Sequence, residues 1–263
     1  MKASEFLGLQ ATHNPHRWYL PLHPGICTRA NFLFGGCGLA AAVTALESTT
    51  GRQLVWATGQ YLDYGRPPAV LDIDVIVPVS GKRTTQARAV GHIVDKEILT
   101  VNAALGDRPV DVEGQWATMP QVPRPEDCEP PPRPEATDSI DSRVDIRIAS
   151  GRWGMAEEGR PSGDGRSALW VRLPEIEMSA ATLAIMADWM PSGIGPALGR
   201  WAGGNSLDNT IRILNVVPSE WVLCDIHVHG VRRGYAHGRI HLWSQDGVLM
   251  ATGGQSAIVR ILG

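Results

Sequence analysis

Cys37-Gly38-Leu39-Ala40-Ala41-Ala42-Val43-Thr44-Ala45-Leu46-Glu47 is apolar almost throughout and rich in alanine. It contains strong helix formers and no proline, so it reads as one buried helix that ends near Gly51. A helix with so little polar face needs cover on most sides, and the residues that follow can provide it. Residues 55–64 and 70–77 are strand-like; in the latter, Val70-Leu71-Asp72-Ile73-Asp74-Val75 alternates apolar with acidic side chains, a period of two. Residues 84–94 and, after the turn-like Asp95-Lys96-Glu97, residues 98–105 continue the pattern. This half therefore predicts a helix followed by several antiparallel strands.

The second half repeats that order. A strand at residues 168–173 precedes a helix over about 179–190, and strands follow at 207–213, 221–229, 234–243 and 248–251. The last two are joined by Ser244-Gln245-Asp246-Gly247, a hairpin signal. Asp95-Lys96-Glu97-Ile98-Leu99 and Gln245-Asp246-Gly247-Val248-Leu249 occupy equivalent places, as in a duplicated unit. Between the halves, MPQVPRPEDCEPPPRPEATDSID is rich in Pro and Glu, and is expected to run extended and to stay out of any core. The expected organisation is a unit at 1–118, a linker at 119–142 and a unit at 143–263. Each unit is an antiparallel sheet wrapped around a long helix, an α+β double hotdog.

A chain of 263 residues with 43% hydrophobic content can bury a core of this kind. Its formal charge is −3, with scattered lysines and arginines, which gives no electrostatic footprint for nucleic acid or a membrane surface and leaves a small molecule or another protein as partner. The first residues lack an apolar signal region and no run of 18 apolar residues occurs, so a cytoplasmic location is expected. Cys27, Cys37, Cys128 and Cys224 have no CxxC spacing and read as buried or partly buried thiols.

Phe34-Gly35-Gly36, Ala187-Asp188-Trp189, Ser206-Leu207-Asp208, Arg233-Gly234, Gln245-Asp246-Gly247 and Gln255 occur in this order along the chain. In this the sequence resembles the type II acyl-CoA thioesterases and their thioesterase-like relatives. The resemblance implies hydrolysis of a coenzyme A thioester by a water held between the Asp of Ser-Leu-Asp, here Asp208, the C-terminal Gln255, and a hydroxyl residue on the intervening strand. That third position departs from the pattern, and His227 is the candidate substitute. Asn209 follows Asp208 where many members have His, and Cys37 stands where Gln often follows the two glycines.

Read from their own chemistry, Asp208 alternates with Leu207 and Ile211 and so points away from its own helix; it is either solvated or pressed against the other unit, where its pKa would rise. Gln255 can donate to and accept from a water, or else lie on the solvent face of an edge strand. Gly35 and Gly36 open a helix and can polarise a thioester carbonyl through their N–H groups, or simply make a tight turn. Asp188 reads as a structural hydrogen-bonding residue. Arg232 and Arg233 are candidates for the phosphates of coenzyme A. The pairs His227/His229 and His237/His241 raise a zinc site, but no Cys or acidic ligand stands at metal spacing, so neither metal nor cofactor is expected. The absence of GxSxG removes the usual serine hydrolase route. A non-catalytic acyl-CoA-binding protein is the alternative, and a hydratase ranks last for want of an Asp-to-His spacing ahead of either helix. The units are expected to pair edge to edge, with a homodimer or higher homo-oligomer as a further level of association.

Overall fold

The computed structural model describes residues 1–132, 138–152 and 160–261. In chain order the helices are α1 (Ala3–Leu7), α2 (Gly35–Thr50), α3 (Ala180–Ala187) and α4 (Ile194–Leu198). The strands are β1 (Gln10–Ala11), β2 (Arg17–Pro21), β3 (Leu54–Tyr61), β4 (Val70–Ser80), β5 (Thr84–Ile93), β6 (Lys96–Gly106), β7 (Asp145–Ser150), β8 (Arg166–Arg172), β9 (Ala202–Ile213), β10 (Val222–Arg232), β11 (Tyr235–Ser244) and β12 (Leu249–Ile261).

The Ala-rich stretch is α2, closed by Gly51 at φ 65, whose N–H donates to Glu47 O at 2.8 Å. Ala40, Ala41 and Ala42 are all fully buried, since α2 packs both on the sheet and along α3. The strands form one antiparallel sheet in the order β1-β2-β4-β5-β6-β3-β9-β12-β11-β10-β8-β7. Strands from before residue 107 occupy one end and strands from after residue 144 the other. They meet where β3 pairs with β9, a junction at which Thr58 and Thr210 bond through their hydroxyls at 2.8 Å. Alternation decides the faces: Leu71, Ile73 and Val75 of β4 are buried while Asp74 binds Arg17 and His92 outside.

Three expectations need correction. The helix expected over 179–190 stops at Ala187, with Ser179 capping it by accepting the Thr182 N–H at 3.1 Å; Pro191 cannot continue an α-helix, and a 3₁₀ turn over Met190–Gly193 leads into α4. The strand expected at 248–251 runs on to Ile261. Finally, the Pro-rich segment joins a core. Ala117, Met119, Val122 and Cys128 pack against Trp170, Trp221, Leu223 and Trp243 on the sheet face turned from the helices. Trp170 Nε1 donates to Pro123 O at 2.9 Å, and the Gln115 amide both donates to Gly247 O and accepts the Leu249 N–H. A segment poor in apolar residues can do this because the tryptophans supply most of the apolar surface.

Candidate functional site

The early end of α3 sets the site. Asp188 is the residue after the last helical turn, and α3 runs antiparallel to α2, so its carboxylate meets the N-terminus of α2. Asp188 Oδ2 accepts the Gly36 N–H at 2.6 Å. Its Oδ1 accepts from Gln255 Nε2, from Ser206 Oγ at 3.3 Å and from Asn209 Nδ2 at 3.5 Å, while Gln255 Nε2 also reaches Ser206 Oγ at 3.0 Å. Asp188 is 6% exposed, Gln255 4% and Asn209 0%. Burial pushes the Asp188 carboxyl up to about 6, against the lowering effect of those four hydrogen bonds.

A bulge brings Ser206 and Asn209 to the same carboxylate. On β12, Ser256 pairs with Asp208 but Ala257 pairs with Ser206, leaving Leu207 as the extra residue. The parity of β9 flips there, so Ser206 and Asn209, three apart, point to one face. The same bulge separates the pair expected to share a water. Gln255 lies opposite Asn209 and faces the helices; Asp208 lies opposite Ser256 on the other face, where its Oδ1 accepts the Ser256 N–H at 2.9 Å. The structure thus does not bring Asp208 and Gln255 together. Gln255 sits on a central strand, not an edge.

His227 is also elsewhere. Cys224 faces α3, its thiol reaching Met186 O at 3.9 Å, and three residues on His227 points to the opposite face, edge-on to His229 at 4.8 Å. Among the described residues no group of three His, Cys, Asp or Glu side chains could hold a metal. Arg232 is exposed, and Arg233 and Gly234 are the central residues of the β10–β11 turn, at φ 53 and 80; neither arginine lines the cleft described next. Gly35 and Gly36 do belong to the site. The Gly36 N–H, however, is engaged by Asp188. The glycines are required by contact: a Cβ on Gly36 would come within 2.7 Å of Ile185 O and 2.9 Å of Asp188 Cβ.

A cleft of about 270 Å³ opens over Asp188, with walls that include Phe32, Phe34, Gly35, Tyr61, Trp189 and Ser206. No histidine lines it. Buried side-chain atoms without a partner gather here: Thr28 Oγ1, Tyr61 OH, Asn209 Oδ1 and Gln255 Oε1. Cys37 lies below, and burial together with Asp188 raises its pKa so far that it stays a thiol and is no nucleophile.

A larger cleft of about 670 Å³ lies at the opposite ends of the two helices, among Glu47, Gly51, Leu54, Ser179 and Ala180. It is the internal counterpart of the first. Counting on from the matched turns, Leu105 stands where the other half has Gln255, and it pairs with Leu54 as Gln255 pairs with Asn209. Of the two carboxylates in its wall, Glu47 and Asp107, Glu47 accepts the Leu54 N–H at 2.8 Å. With leucines in place of both amides, that cleft lacks the groups assembled around Asp188.

The acyl-CoA thioesterase C-terminal domain family matches residues 125–259, just over half of the chain. A structure from Novosphingobium aromaticivorans described as a "putative thioesterase" is 30% identical, covering 96% of this chain and 98% of that one at a TM-score of 0.84. The chain belongs to the acyl-CoA thioesterase family. The fold is that of the double hotdog: a hot dog protein from Alicyclobacillus acidocaldarius superposes at TM-score 0.84 with 19% identity over 99% of this chain and 98% of that one. An acyl-CoA thioesterase II from Mycobacterium marinum does so at 0.76 with 18% identity over 99% of both. No curated protein matches by sequence.

Within the family's motifs, the site draws on Ala187-Asp188-Trp189 and on the Ser of Ser206-Leu207-Asp208. A carboxylate in a helix otherwise as apolar as Leu183-Ala184-Ile185-Met186-Ala187 is the sequence signal for it, since such a charge requires dedicated partners.

Proposed function

We propose that this protein hydrolyses acyl-CoA thioesters by direct attack of a water activated by Asp188. The observation that carries this reading is a buried carboxylate, raised to about 6, at the floor of an aromatic cleft and held by Gly36, Ser206, Asn209 and Gln255. A base with a pKa just below neutrality is ionised at working pH and still basic enough to take a proton. Asp188 accepts a proton from the water as its oxygen bonds to the thioester carbon; Gln255 Oε1 is an acceptor for the second hydrogen. Collapse of the tetrahedral intermediate breaks the C–S bond, and Asp188 returns the proton to the departing thiolate. The products are a carboxylic acid and the free thiol of coenzyme A, with no covalent enzyme intermediate.

Thiol release from a panel of acyl-CoA esters tests the reading, and turnover of none of them would leave the non-catalytic binding protein in its place. The pH profile is specific. kcat/KM should be flat above neutrality, half-maximal near pH 6, and fall about tenfold per pH unit below that as Asp188 gains its proton. A profile flat down to pH 5 would contradict the assignment.

The cations beside the cleft differ from those expected. Arg29 pairs with Asp141 and Lys96 with Asp63, two carboxylates of the cleft wall, and Arg66 lies 5.8 Å over the Phe32 ring while donating to Ala30 O at 2.8 Å. We assign coenzyme A phosphate recognition to this rim instead of Arg232 and Arg233. Arg66→Ala should raise KM roughly three- to tenfold for an acyl-CoA and leave KM unchanged for the matching acyl-pantetheine, which lacks the nucleotide phosphates. We retain residues 1–118 and 143–263 as the two hotdog units and 119–142 as the segment between them; 133–137 lie outside the described residues, and Met119, Val122 and Cys128 fasten it to the second unit.

A further inference from the structure

The hydrolysis proposed above needs a donor for the carbonyl oxygen, which becomes an oxyanion when water adds. Most donors near Asp188 are already committed. The Gly36 N–H, Gln255 Nε2, Ser206 Oγ and Asn209 Nδ2 all point at the Asp188 carboxylate. The tyrosine of β3 is different. Tyr61 lines the cleft, and its hydroxyl is buried with no partner in hydrogen-bonding geometry among the described residues; the Asn209 amide beside it donates to Asp188 instead. The hydroxyl lies 3.2 Å, and Asp188 Oδ2 2.8 Å, from the point where a Cβ on Gly35 would sit, so both face the first residue of the sixteen-residue helix α2.

We propose that the Tyr61 hydroxyl is the catalytic donor that binds the thioester carbonyl oxygen and carries the developing oxyanion, with the positive end of α2 behind it. A buried donor without a partner is costly unless a ligand satisfies it. A carbonyl entering over Gly35 does so, with its carbon beside Asp188 and the water that Asp188 activates. Burial and the neighbouring Asp188 both raise the phenol well above its ordinary value, so the group keeps its proton throughout the working range and remains a donor. No proton is transferred at Tyr61; the hydrogen bond strengthens as charge builds on oxygen and relaxes as the C–S bond breaks. The first half of the chain thereby contributes a reacting group to a site whose base lies in the second half.

Tyr61→Phe tests this, because it keeps the ring and removes the hydroxyl alone. The expected result is a fall in kcat of about 10²- to 10³-fold, with KM for an acyl-CoA little changed and the pH midpoint still near 6. A kcat within threefold of wild type, in an enzyme that does hydrolyse acyl-CoA, would overturn the role of Tyr61 while leaving Asp188 in place. A shifted pH midpoint at unchanged plateau would equally overturn it, since that is the signature of a residue that only positions Asp188 or Asn209. Binding tests the role independently of turnover. A coenzyme A ketone analogue, with CH₂ in place of the thioester sulfur and the carbonyl retained, should bind Tyr61→Phe about fivefold or more weakly than wild type. An S-alkyl coenzyme A without the carbonyl should bind both alike. Equal affinity of the two proteins for the ketone would also refute the contact. If instead the wild type releases no thiol from any ester, the hydrolase reading fails, and a ketone-specific loss would still show that Tyr61 meets an acyl carbonyl.

Discussion

Asp188→Asn is expected to lower kcat by about 10²- to 10⁴-fold, the range for loss of a positioned general base, and at the same time to make the fold more stable at neutral pH. The second effect follows from the environment of the carboxylate. Asp188 titrates near 6 in the folded chain because burial disfavours its charge, and near its ordinary value of 3.8 when unfolded. Between those values the folded chain holds the proton that the unfolded chain has released. Stability is therefore fully present below the unfolded value and falls as pH rises towards 6, by about 3 kcal/mol in total at pH 7. An amide carries no such cost. The oxygen of the introduced amide can still accept the Gly36 N–H, and Gln255 can turn its own amide to meet the new donor. Thermal unfolding at pH 7.5 should move upward by several degrees, whereas at pH 4 the two proteins should unfold together. Asp208→Asn is the contrast: it keeps an acceptor for the Ser256 N–H and should leave kcat within about threefold. An Asp208 variant as impaired as the Asp188 variant would remove the assignment.

Gly36→Ala should be nearly as damaging, for a steric reason. Alanine is favoured over glycine within a helix by up to about 1 kcal/mol, so helix propensity alone predicts a gain. Contact decides otherwise. The new methyl would lie 2.7 Å from Ile185 O and 2.9 Å from both Asp188 Cβ and Phe34 Cε1. The first two atoms belong to the last turn of α3 and its cap, so α2 and α3 must part, at a cost of about 1–3 kcal/mol. Parting them also stretches the 2.6 Å bond from Gly36 N–H to Asp188, and activity should fall to the level of the Asp188 variant. Gly51→Ala separates conformation from contact. Gly51 has φ 65 and nothing within 4 Å of its missing Cβ, so its substitution should cost about 1 kcal/mol in stability and leave kcat intact. Chemical denaturation and thiol release on the two variants distinguish the mechanisms.

The fold was legible because its signals are local. The alanines of α2 had to be covered, the alternation of β4 had to have two faces, and the matched turns at Asp95 and Gln245 gave the order of strands twice. The site was legible only in part, because its geometry depends on one residue of register. Simple alternation along β9 places Ser206 and Asn209 on opposite faces; the bulge at Leu207 puts them on one, and nothing in Ser206-Leu207-Asp208-Asn209 announces it. Asp188 was visible as an odd charge on an apolar helix, but its role depends on where α3 stops and on the partner helix that meets it there. The Pro-rich segment misled for a related reason, since its apolar partners are tryptophans of distant strands.

The junction between β3 and β9 has a consequence for how activity responds to dilution. Gly36 and Tyr61 come from one half of the duplication, and Asp188, Ser206, Asn209 and Gln255 from the other, so a competent cleft exists only when the halves are docked. In two separate chains that docking would weaken as concentration falls. Here the partner is held at an effective concentration fixed by the covalent connection, and the segment pinned across Trp170 and Trp243 shortens that tether further. Specific activity, per mole of chain, is thereby insulated from protein concentration at this junction, and turnover becomes a direct report of whether the two halves are seated.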